Sequence, residues 1–158
     1  MTQQDFINRF EYINGKLFYK KSEVCMKQGS EVGTMCKSGH LKTLIKRKPY
    51  LLHRIIFMMH HGFLPKFLDH IDGNPSNNQI KNLRPATHSQ NNLNRGKHKR
   101  NTSGYKGVTW VATTGKYSTR IAIDGKRFFL GYFNDPKEAH KAYCKFSKNT
   151  QPQYIRTQ

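Results

Sequence analysis

The sequence lacks the features that would indicate a zinc-ribbon, secreted or membrane-spanning protein. Its three cysteines, Cys25, Cys36 and Cys144, form no Cys-x-x-Cys pair, so a zinc ribbon is not supported. A reduced, cytoplasmic setting is the simplest interpretation. No apolar run approaches the ~20 residues of a spanning helix. The polar, acidic N-terminus is not a secretory signal.

Acidic residues are scarce. The chain has 9 Asp and Glu against 28 Lys and Arg, a formal net charge of +19. This excess predicts a polyanionic partner, either nucleic acid or an anionic membrane. The basic residues lie among Gly, Thr and aromatic residues and not along one amphipathic helix, which argues against a membrane surface. No long heptad pattern is present, so we expect a monomer.

The first half of the chain predicts a β-rich segment followed by a helix. Asn14-Gly15 between apolar residues is a strong hairpin signal. Short strands are expected at 33–35 and 41–45. Residues 51–61 predict a helix that Gly62 ends, with the buried face at helical spacing formed by Leu52, Ile55, Ile56 and Met59. The first 50 residues are expected to pack against the segments after them and hold those segments in position.

Asp69-His70 is the candidate catalytic pair. It follows Phe67-Leu68, which predicts a short strand, and precedes a polar loop and a second short strand. Thr87 and Gln90 form a capping box, so a helix carrying several Asn residues is expected from His88. A carboxylate and amides can hold a hard metal ion, and an imidazole can take a proton from water. This combination favours phosphodiester hydrolysis.

Residues 95–103 predict a basic linker without periodicity. Such a segment can lie along DNA phosphates, and the candidate contacts are Arg95, Lys97, Lys99 and Arg100.

The region after the linker predicts a three-stranded antiparallel sheet with one helix. The expected strands are 105–111, 116–123 and 126–133, with a hairpin at Asp124-Gly125. A helix is expected from Pro136. Alternation places Ser118 and Arg120 on the face opposite the helix, together with Arg127 and Phe129. The fold class predicted for the whole chain is therefore α+β.

One series of short motifs closely resembles the HNH endonuclease family, namely His53-Arg54, Asp69-His70-Ile71-Asp72-Gly73-Asn74, Asn77-Asn78, Asn82-Leu83-Arg84 and Asn91-Asn92. The match is to the branch of phage and intron homing nucleases. The resemblance covers roughly residues 40–95 and implies a ββα-metal unit, led by the β-rich segment 1–50, with its core at about 64–94. It gives a nuclease domain at 1–94 and separates this domain from a module at 104–149 and a tail at 150–158.

The resemblance also implies the roles of the site residues. His70 would be the general base, Asp69 and Asn91 the metal ligands, and Asn82 the residue that orients His70. With oxygen ligands and no second His, Mg²⁺ or Mn²⁺ is favoured over zinc. His88 and Asn92 remain alternatives to Asn91. The products expected are 5′-phosphate and 3′-hydroxyl ends. Asp72, Gly73 and Asn74 are interpreted as a turn, and Asn77 and Asn78 as loop-stabilising.

Residues 104–149 resemble the ethylene-response-factor (Apetala-type) DNA-binding domain of plants. The residues that carry this resemblance include Tyr105-Lys106-Gly107-Val108, Leu130-Gly131-Tyr132-Phe133 and Pro136-Lys137-Glu138-Ala139. That family lays a three-stranded sheet in the DNA major groove. The matching DNA-face positions are Lys106, Thr109, Ser118, Arg120, Arg127 and Phe129. The plant pattern has Glu at the position of Arg120, so its base preference does not transfer. Trp110 is left open between a DNA contact and a core edge.

The leading hypothesis is a site-specific HNH homing endonuclease acting on double-stranded DNA in a phage or bacterial host cell. The alternative is a non-catalytic, sequence-specific DNA-binding regulator on the same scaffold. A nonspecific or RNA-directed nuclease is disfavoured, since side chains cannot read the narrow major groove of A-form RNA. The target sequence, and nicking versus double-strand cleavage, stay open.

Overall fold

A computed structural model describes residues 1–23 and 26–151. Cys25 and the predicted tail from residue 152 onwards therefore lie outside the described residues. The chain divides into two compact units, Met1–Pro85 and Ala86–Gln158, and each is described by itself. Helices and small antiparallel sheets occur in both, which confirms the predicted α+β class.

Among the described residues of the first unit, the elements are α1 Gln3–Arg9, β1 Phe10–Ile13, β2 Lys16–Tyr19, β3 Thr34–Met35, β4 Leu41–Ile45, β5 Lys48–Leu51, α2 Leu52–His61, β6 Phe67–His70 and β7 Leu83–Ala86. The strands form small sheets: β1 pairs with β2, the next three strands have the order β3-β4-β5, and β6 pairs with β7. The last residue of β7, Ala86, falls just past the division between the units.

The predicted hairpin and the predicted helix are both present. Asn14 and Gly15 have φ of 48° and 87°, which is the backbone of a type I′ turn. Helix α2 begins one residue later than predicted and ends at Gly62, whose φ is 75°. Leu52, Ile55 and Ile56 are buried as expected, and Met59 packs half-buried against them.

An apolar cluster of the described residues packs the first unit together. Its fully buried members include Phe10 of β1, Leu17 of β2, Ile45 of β4, and Leu52, Ile55 and Ile56 of α2. Burying side chains of this size stabilises a fold by about 1.5–3 kcal/mol each before the entropy of ordering is subtracted. Strand β6 starts at the edge of this cluster, where Leu68 is buried. The candidate pair Asp69-His70 is thus attached to a packed core.

In the part of the second unit that the structure describes, the elements are α3 His88–Asn94, β8 Val108–Val111, β9 Lys116–Ile123, β10 Lys126–Phe133 and α4 Pro136–Thr150. The three strands form a sheet of order β10-β9-β8. Strand β8 is shorter than predicted, because residues 105–107 form a turn. The capping box of Thr87 and Gln90 and the Asp135 cap of α4 are confirmed.

One face of this sheet packs on α4. Ile121, Ile123 and Tyr143 form a buried cluster with Leu93 of α3. Phe128 lies against Phe146 of α4 with ring centroids 5.1 Å apart. Phe128 therefore lies on the α4 side of the sheet. Across the described residues, we find no helix long and apolar enough to cross a membrane.

Candidate active site and DNA-binding face

Asp69 and His70 form the buried end of strand β6. They are 5 % and 6 % exposed. The neighbouring strand β7 follows a short 3-10 helix, Ile80–Asn82, and the Ile71 N–H donates to the Asn82 carbonyl at 2.9 Å. The pair is therefore held in register by the strand that follows it. The sequence predicted this strand–loop–strand arrangement correctly.

The His70 ring is held by Asn78. Its Nε2 lies 3.1 Å from Asn78 Oδ1, and Asn78 is only 2 % exposed. An amide oxygen can only accept a hydrogen bond, so Nε2 carries a proton. In the neutral ring, Nδ1 is then the nitrogen that can accept a proton. The sequence interpretation treated Asn78 as a loop residue, and no periodicity marks its contact with His70.

Two further histidines surround His70. The ring centroids of His40, His53 and His70 are 5.0–5.6 Å apart in all three pairs. Burial first, and then the charges of His70 and His40, lower the pKa of His53 to about 3. Burial and the charge of His70 also lower the pKa of His40. Both rings are therefore neutral at neutral pH.

Sequence reasoning gave neither His40 nor His53 a role in the site. Two signals were available for His53: it belongs, with Arg54, to the motifs that resemble the HNH family, and it lies three residues before Ile56 on the buried side of the predicted helix. His40 offered no comparable signal, because it lies in the segment between β3 and β4.

Asp69 is paired with Arg84 of strand β7. The guanidinium donates to Asp69 Oδ2 from Nε at 2.9 Å and from Nη2 at 2.8 Å. Both side chains are largely buried, so this pair is shielded from solvent. Arg84 was part of the recognised motif, but no role was predicted for it. It holds the carboxylate in one orientation and balances its charge.

Asn82 clamps the loop between β6 and β7. Its Nδ2 donates to Asp72 Oδ1 at 2.9 Å and to the Asn77 carbonyl at 2.8 Å, and its Oδ1 accepts from the Asp72 N–H at 3.1 Å. These bonds use both amide hydrogens. Its predicted role in orienting His70 stays a prediction, since the bonds seen here run to the loop.

Asp72 is the centre of the same loop. It also accepts from the Asn74 N–H at 2.8 Å and from Asn77 Nδ2 at 2.7 Å. Burial raises its pKa, but the hydrogen bonds from Asn74, Asn77 and Asn82 outweigh this, so the pKa of Asp72 lies below its ordinary value. Residues 72–74 form the expected turn, with the Gly73 N–H donating to the His70 carbonyl at 2.8 Å.

The predicted metal ligands Asp69 and Asn91 belong to different units. Asn91 lies on α3, half-exposed. The alternatives His88 and Asn92 face each other at 3.2 Å between Nδ1 and Nδ2. Within the described ranges, no three His, Cys, Asp or Glu side chains are grouped to hold a metal. The predicted donors are carboxylate and amide oxygens, which favour Mg²⁺ or Mn²⁺ over zinc.

The face of the C-terminal sheet opposite α4 carries most of the predicted DNA contacts. Arg120 pairs with Phe129, and Arg127 with Ala122. These two arginines, Phe129 and Thr109 are exposed, and the Arg120 guanidinium lies 5.7 Å from the Phe129 ring centroid. Thr109 and Arg120 line a cavity of about 310 Å³ on this face. Such a surface offers charge and a stacking plane to a nucleic acid.

Three remaining positions, Ser118, Lys106 and Trp110, differ from these exposed residues in their burial or in their contacts. Ser118 shares this face but is 5 % exposed. The Lys106 ammonium donates to the Leu93 carbonyl and lies 5.9 Å from the Tyr143 ring centroid. Trp110 pairs with Tyr117, and their rings touch at 4.8 Å between centroids. Alternation puts Tyr117 on the α4 side, so Trp110 is a core-edge residue. DNA contacts by Ser118 and Lys106 stay predictions. The burial of Ser118 and the contacts of Lys106 with Leu93 and Tyr143 do not favour them.

The basic segment 95–103 exposes all its predicted contact residues, Arg95, Lys97, Lys99 and Arg100. The Lys97 ammonium donates to the Gly104 carbonyl at 3.3 Å. The C-terminal end of the segment is hydrogen-bonded to the residues that lead into the sheet. Asn101 Nδ2 donates to the Tyr105 carbonyl at 2.8 Å, and Ser103 Oγ donates to the Val108 carbonyl at 2.8 Å. The segment therefore presents positive charge from an anchored loop.

Comparison with known proteins supports the first recognition. Residues 50–93 match the HNH endonuclease family. Protein 3.8 of Escherichia phage T7 is 39 % identical over 69 residues, which cover 42 % of this chain and 57 % of the phage protein. The chain thus spans under two thirds of that relative. No solved structure matches. The likeness of residues 104–149 to the ethylene-response-factor domain stays a prediction.

Proposed function

We propose that this chain, whose residues 50–93 carry an HNH endonuclease domain, is a metal-dependent DNA endonuclease of the homing type. It would hydrolyse a phosphodiester bond in double-stranded DNA. The observation that carries the proposal is the buried Asp69-His70 pair inside the matched region, with Asn78 bound to His70 Nε2. When the His70 imidazole is neutral, Nδ1 is therefore the nitrogen that can accept a proton.

In the proposed mechanism, His70 Nδ1 takes a proton from a water molecule that attacks the phosphorus in line. The new bond joins the water oxygen to phosphorus, the bond from phosphorus to the 3′ oxygen breaks, and that oxygen takes a proton from solvent water, which leaves 5′-phosphate and 3′-hydroxyl ends. Asn78 fixes the tautomer, and His40 and His53 give the ring two neutral neighbours. Asp69 and Asn91 would hold one divalent ion, whose charge stabilises the charge developing on the phosphate and the leaving oxygen.

DNA recognition would use the second unit. The face with Thr109, Arg120, Arg127 and Phe129 would lie in the major groove, as sheets do in other DNA-binding proteins. The exposed basic segment 95–103 would follow the phosphates. The net charge of +19 supports a polyanionic partner. We further propose that the chain acts as a monomer in the cytoplasm of a phage-infected or bacterial cell.

A nicking assay on supercoiled plasmid with Mg²⁺ tests this function. His70→Ala is expected to lower the rate by about 100-fold or more, the usual contribution of general base catalysis. His61→Ala is the matched control, because it removes an exposed imidazole at the end of α2 and is expected to nick like the wild type. EDTA is expected to stop the reaction. Equal rates for the wild type and His70→Ala would refute the proposal.

The second candidate is a non-catalytic DNA-binding regulator. The observation in its favour is the ion pair of Asp69 with Arg84, which already engages the carboxylate expected to bind metal. That candidate predicts tight DNA binding, no nicking above the His70→Ala background, and no effect of Mg²⁺ on binding. The same plasmid assay, combined with a gel-shift titration, separates the two functions.

A further inference from the structure

Helix α3 packs on the C-terminal sheet. Leu93 is 3 % exposed and belongs to the buried cluster of Ile121, Ile123 and Tyr143. The division between the two compact units falls at Pro85 and Ala86, inside the region that matches the HNH family. The last helix of the matched region is therefore a structural part of the module that follows it.

Two hydrogen bonds add to this anchorage. Near the start of α3, Ser89 Oγ accepts from the Asp124 N–H at 2.8 Å, in the hairpin turn between β9 and β10. At its end, the Leu93 carbonyl accepts from the Lys106 ammonium. With seven residues, α3 is too short to be stable alone in water. Its order therefore depends on these contacts.

The anchorage also sets the direction of Asn91. Successive residues on a helix are turned by about 100°, so residues two apart point to nearly opposite sides. Leu93 is buried against the sheet, and Asn91 consequently faces away from it. This agrees with the half-exposed state of Asn91.

We propose that the C-terminal module positions helix α3, which carries the proposed metal ligand Asn91. Leu93, Ser89 and Lys106 are the positioning residues. The proposal rests on the function proposed above, in which Asn91 binds the ion. It means that the proposed DNA-reading sheet and the helix that carries Asn91 belong to one packed unit.

The test compares full-length Leu93→Ala with Val108→Ala. Val108 is equally buried in the same module but lies outside the cluster around Leu93. Leu93→Ala is expected to speed hydrogen exchange of the amides of residues 88–94 at least tenfold. It should also weaken Mn²⁺ binding by about tenfold, the usual cost of removing support behind a metal ligand. Val108→Ala is expected to leave both quantities as in the wild type.

A milder variant tests whether the effects of Leu93→Ala result only from general unfolding. Lys106→Met keeps the apolar stem and removes the donor to the Leu93 carbonyl, so it should shift both readouts in the same direction by a smaller factor. Unchanged exchange in α3 for both Leu93→Ala and Lys106→Met would overturn the proposal. Equal changes in Leu93→Ala and Val108→Ala would also overturn it, since they would report only the stability of the module.

Asn91→Ala separates this proposal from the function on which it rests. If Asn91→Ala leaves Mn²⁺ affinity unchanged, the ligand assignment is wrong, and the positioning role falls with it. If Asn91→Ala weakens Mn²⁺ binding but Leu93→Ala does not, the proposed function stands and the anchorage proposal alone is refuted.

Discussion

His53 is a buried histidine with a ring against His70 and no hydrogen-bond partner for its Nδ1 among the described residues. A neutral imidazole tolerates this environment far better than a charged one, which is why its pKa falls to about 3. His53 is therefore a neutral neighbour of His70 at neutral pH.

His53→Gln tests this through the pH dependence of stability. Above pH 6.5, the ordinary pKa of a histidine, His53 is neutral in both the folded and the unfolded state. It then has no effect on how the free energy of unfolding depends on pH. Between 6.5 and about 3, the unfolded chain binds a proton that the folded chain refuses, so stability falls as pH falls, by up to about 1.4 kcal/mol per pH unit. Urea unfolding from pH 7.5 to 4.5 should show a shallower slope for His53→Gln. Parallel slopes would contradict the assignment.

Asn78 should act on the rate and not on substrate binding. Asn78→Ala removes the acceptor for His70 Nε2, so the tautomer and ring orientation are no longer fixed. We expect kcat to fall by about tenfold with KM nearly unchanged, the typical effect of losing a partner behind a functional group. Asn78→Asp keeps an acceptor oxygen and should restore most of kcat. If both variants raise KM alone, Asn78 shapes the surface and does not position His70.

At the residue scale, the sequence supports the identity of the chemistry-bearing pair but not its surroundings. Asp69 and His70 were found from adjacent residue types and a family motif. The partners Asn78, His40 and Arg84 come from other segments, and their contacts depend on how the loop and strands fold back. No spacing rule in a single sequence encodes such contacts.

At the element scale, the loop between β6 and β7 depends on one side chain. Asn82→Ala would break three hydrogen bonds and leave the Asn77 carbonyl without a side-chain donor. We expect unfolding free energy to drop by about 1–3 kcal/mol, the cost of unsatisfied polar groups. Ser76→Ala, which removes an exposed hydroxyl that donates to Asn74, should change it by less than about 0.5 kcal/mol. Equal urea midpoints for both variants would refute the clamp.

Most elements were predictable, and the exceptions have physical reasons. Hairpin turns, caps and the strands β9 and β10 follow from local signals such as Asp124-Gly125 and Asp135-Pro136. Helix α1 was missed because it is short and mostly polar. Strand β5 was missed because Pro49 argues against a strand, although β5 is an edge strand, where proline is tolerated. The bulge between Phe129 and Gly131 also left no clear signal.

At the scale of the whole molecule, the proposed function assigns DNA reading to the exposed face of the C-terminal sheet. Arg120→Ala removes a guanidinium from the proposed reading face and should weaken binding to the preferred site by about 1–3 kcal/mol. Nicking at saturating DNA should change little. Lys141→Ala removes an exposed charge from α4 and serves as the control. Fluorescence anisotropy on specific and random duplexes measures the difference, and equal loss on both would contradict base reading by Arg120.

The division into domains stays a prediction. The sequence suggests a nuclease domain that ends at residue 94 and a separate module from 104. The boundary between the two compact units lies between Pro85 and Ala86. The difference between these two boundaries depends on Leu93. In the sequence it is an ordinary apolar helix residue, and no pattern indicates in which apolar core it is buried.

The central claim is that a DNA-reading sheet brings a nuclease centre to its target site. Mapping cleavage ends on host genomic DNA tests this claim most directly. The wild type should give 5′-phosphate ends clustered at one or a few sites, Arg120→Ala should spread those ends, and His70→Ala should give none above background. Ends from the wild type that match the His70→Ala background in number and position would contradict the account.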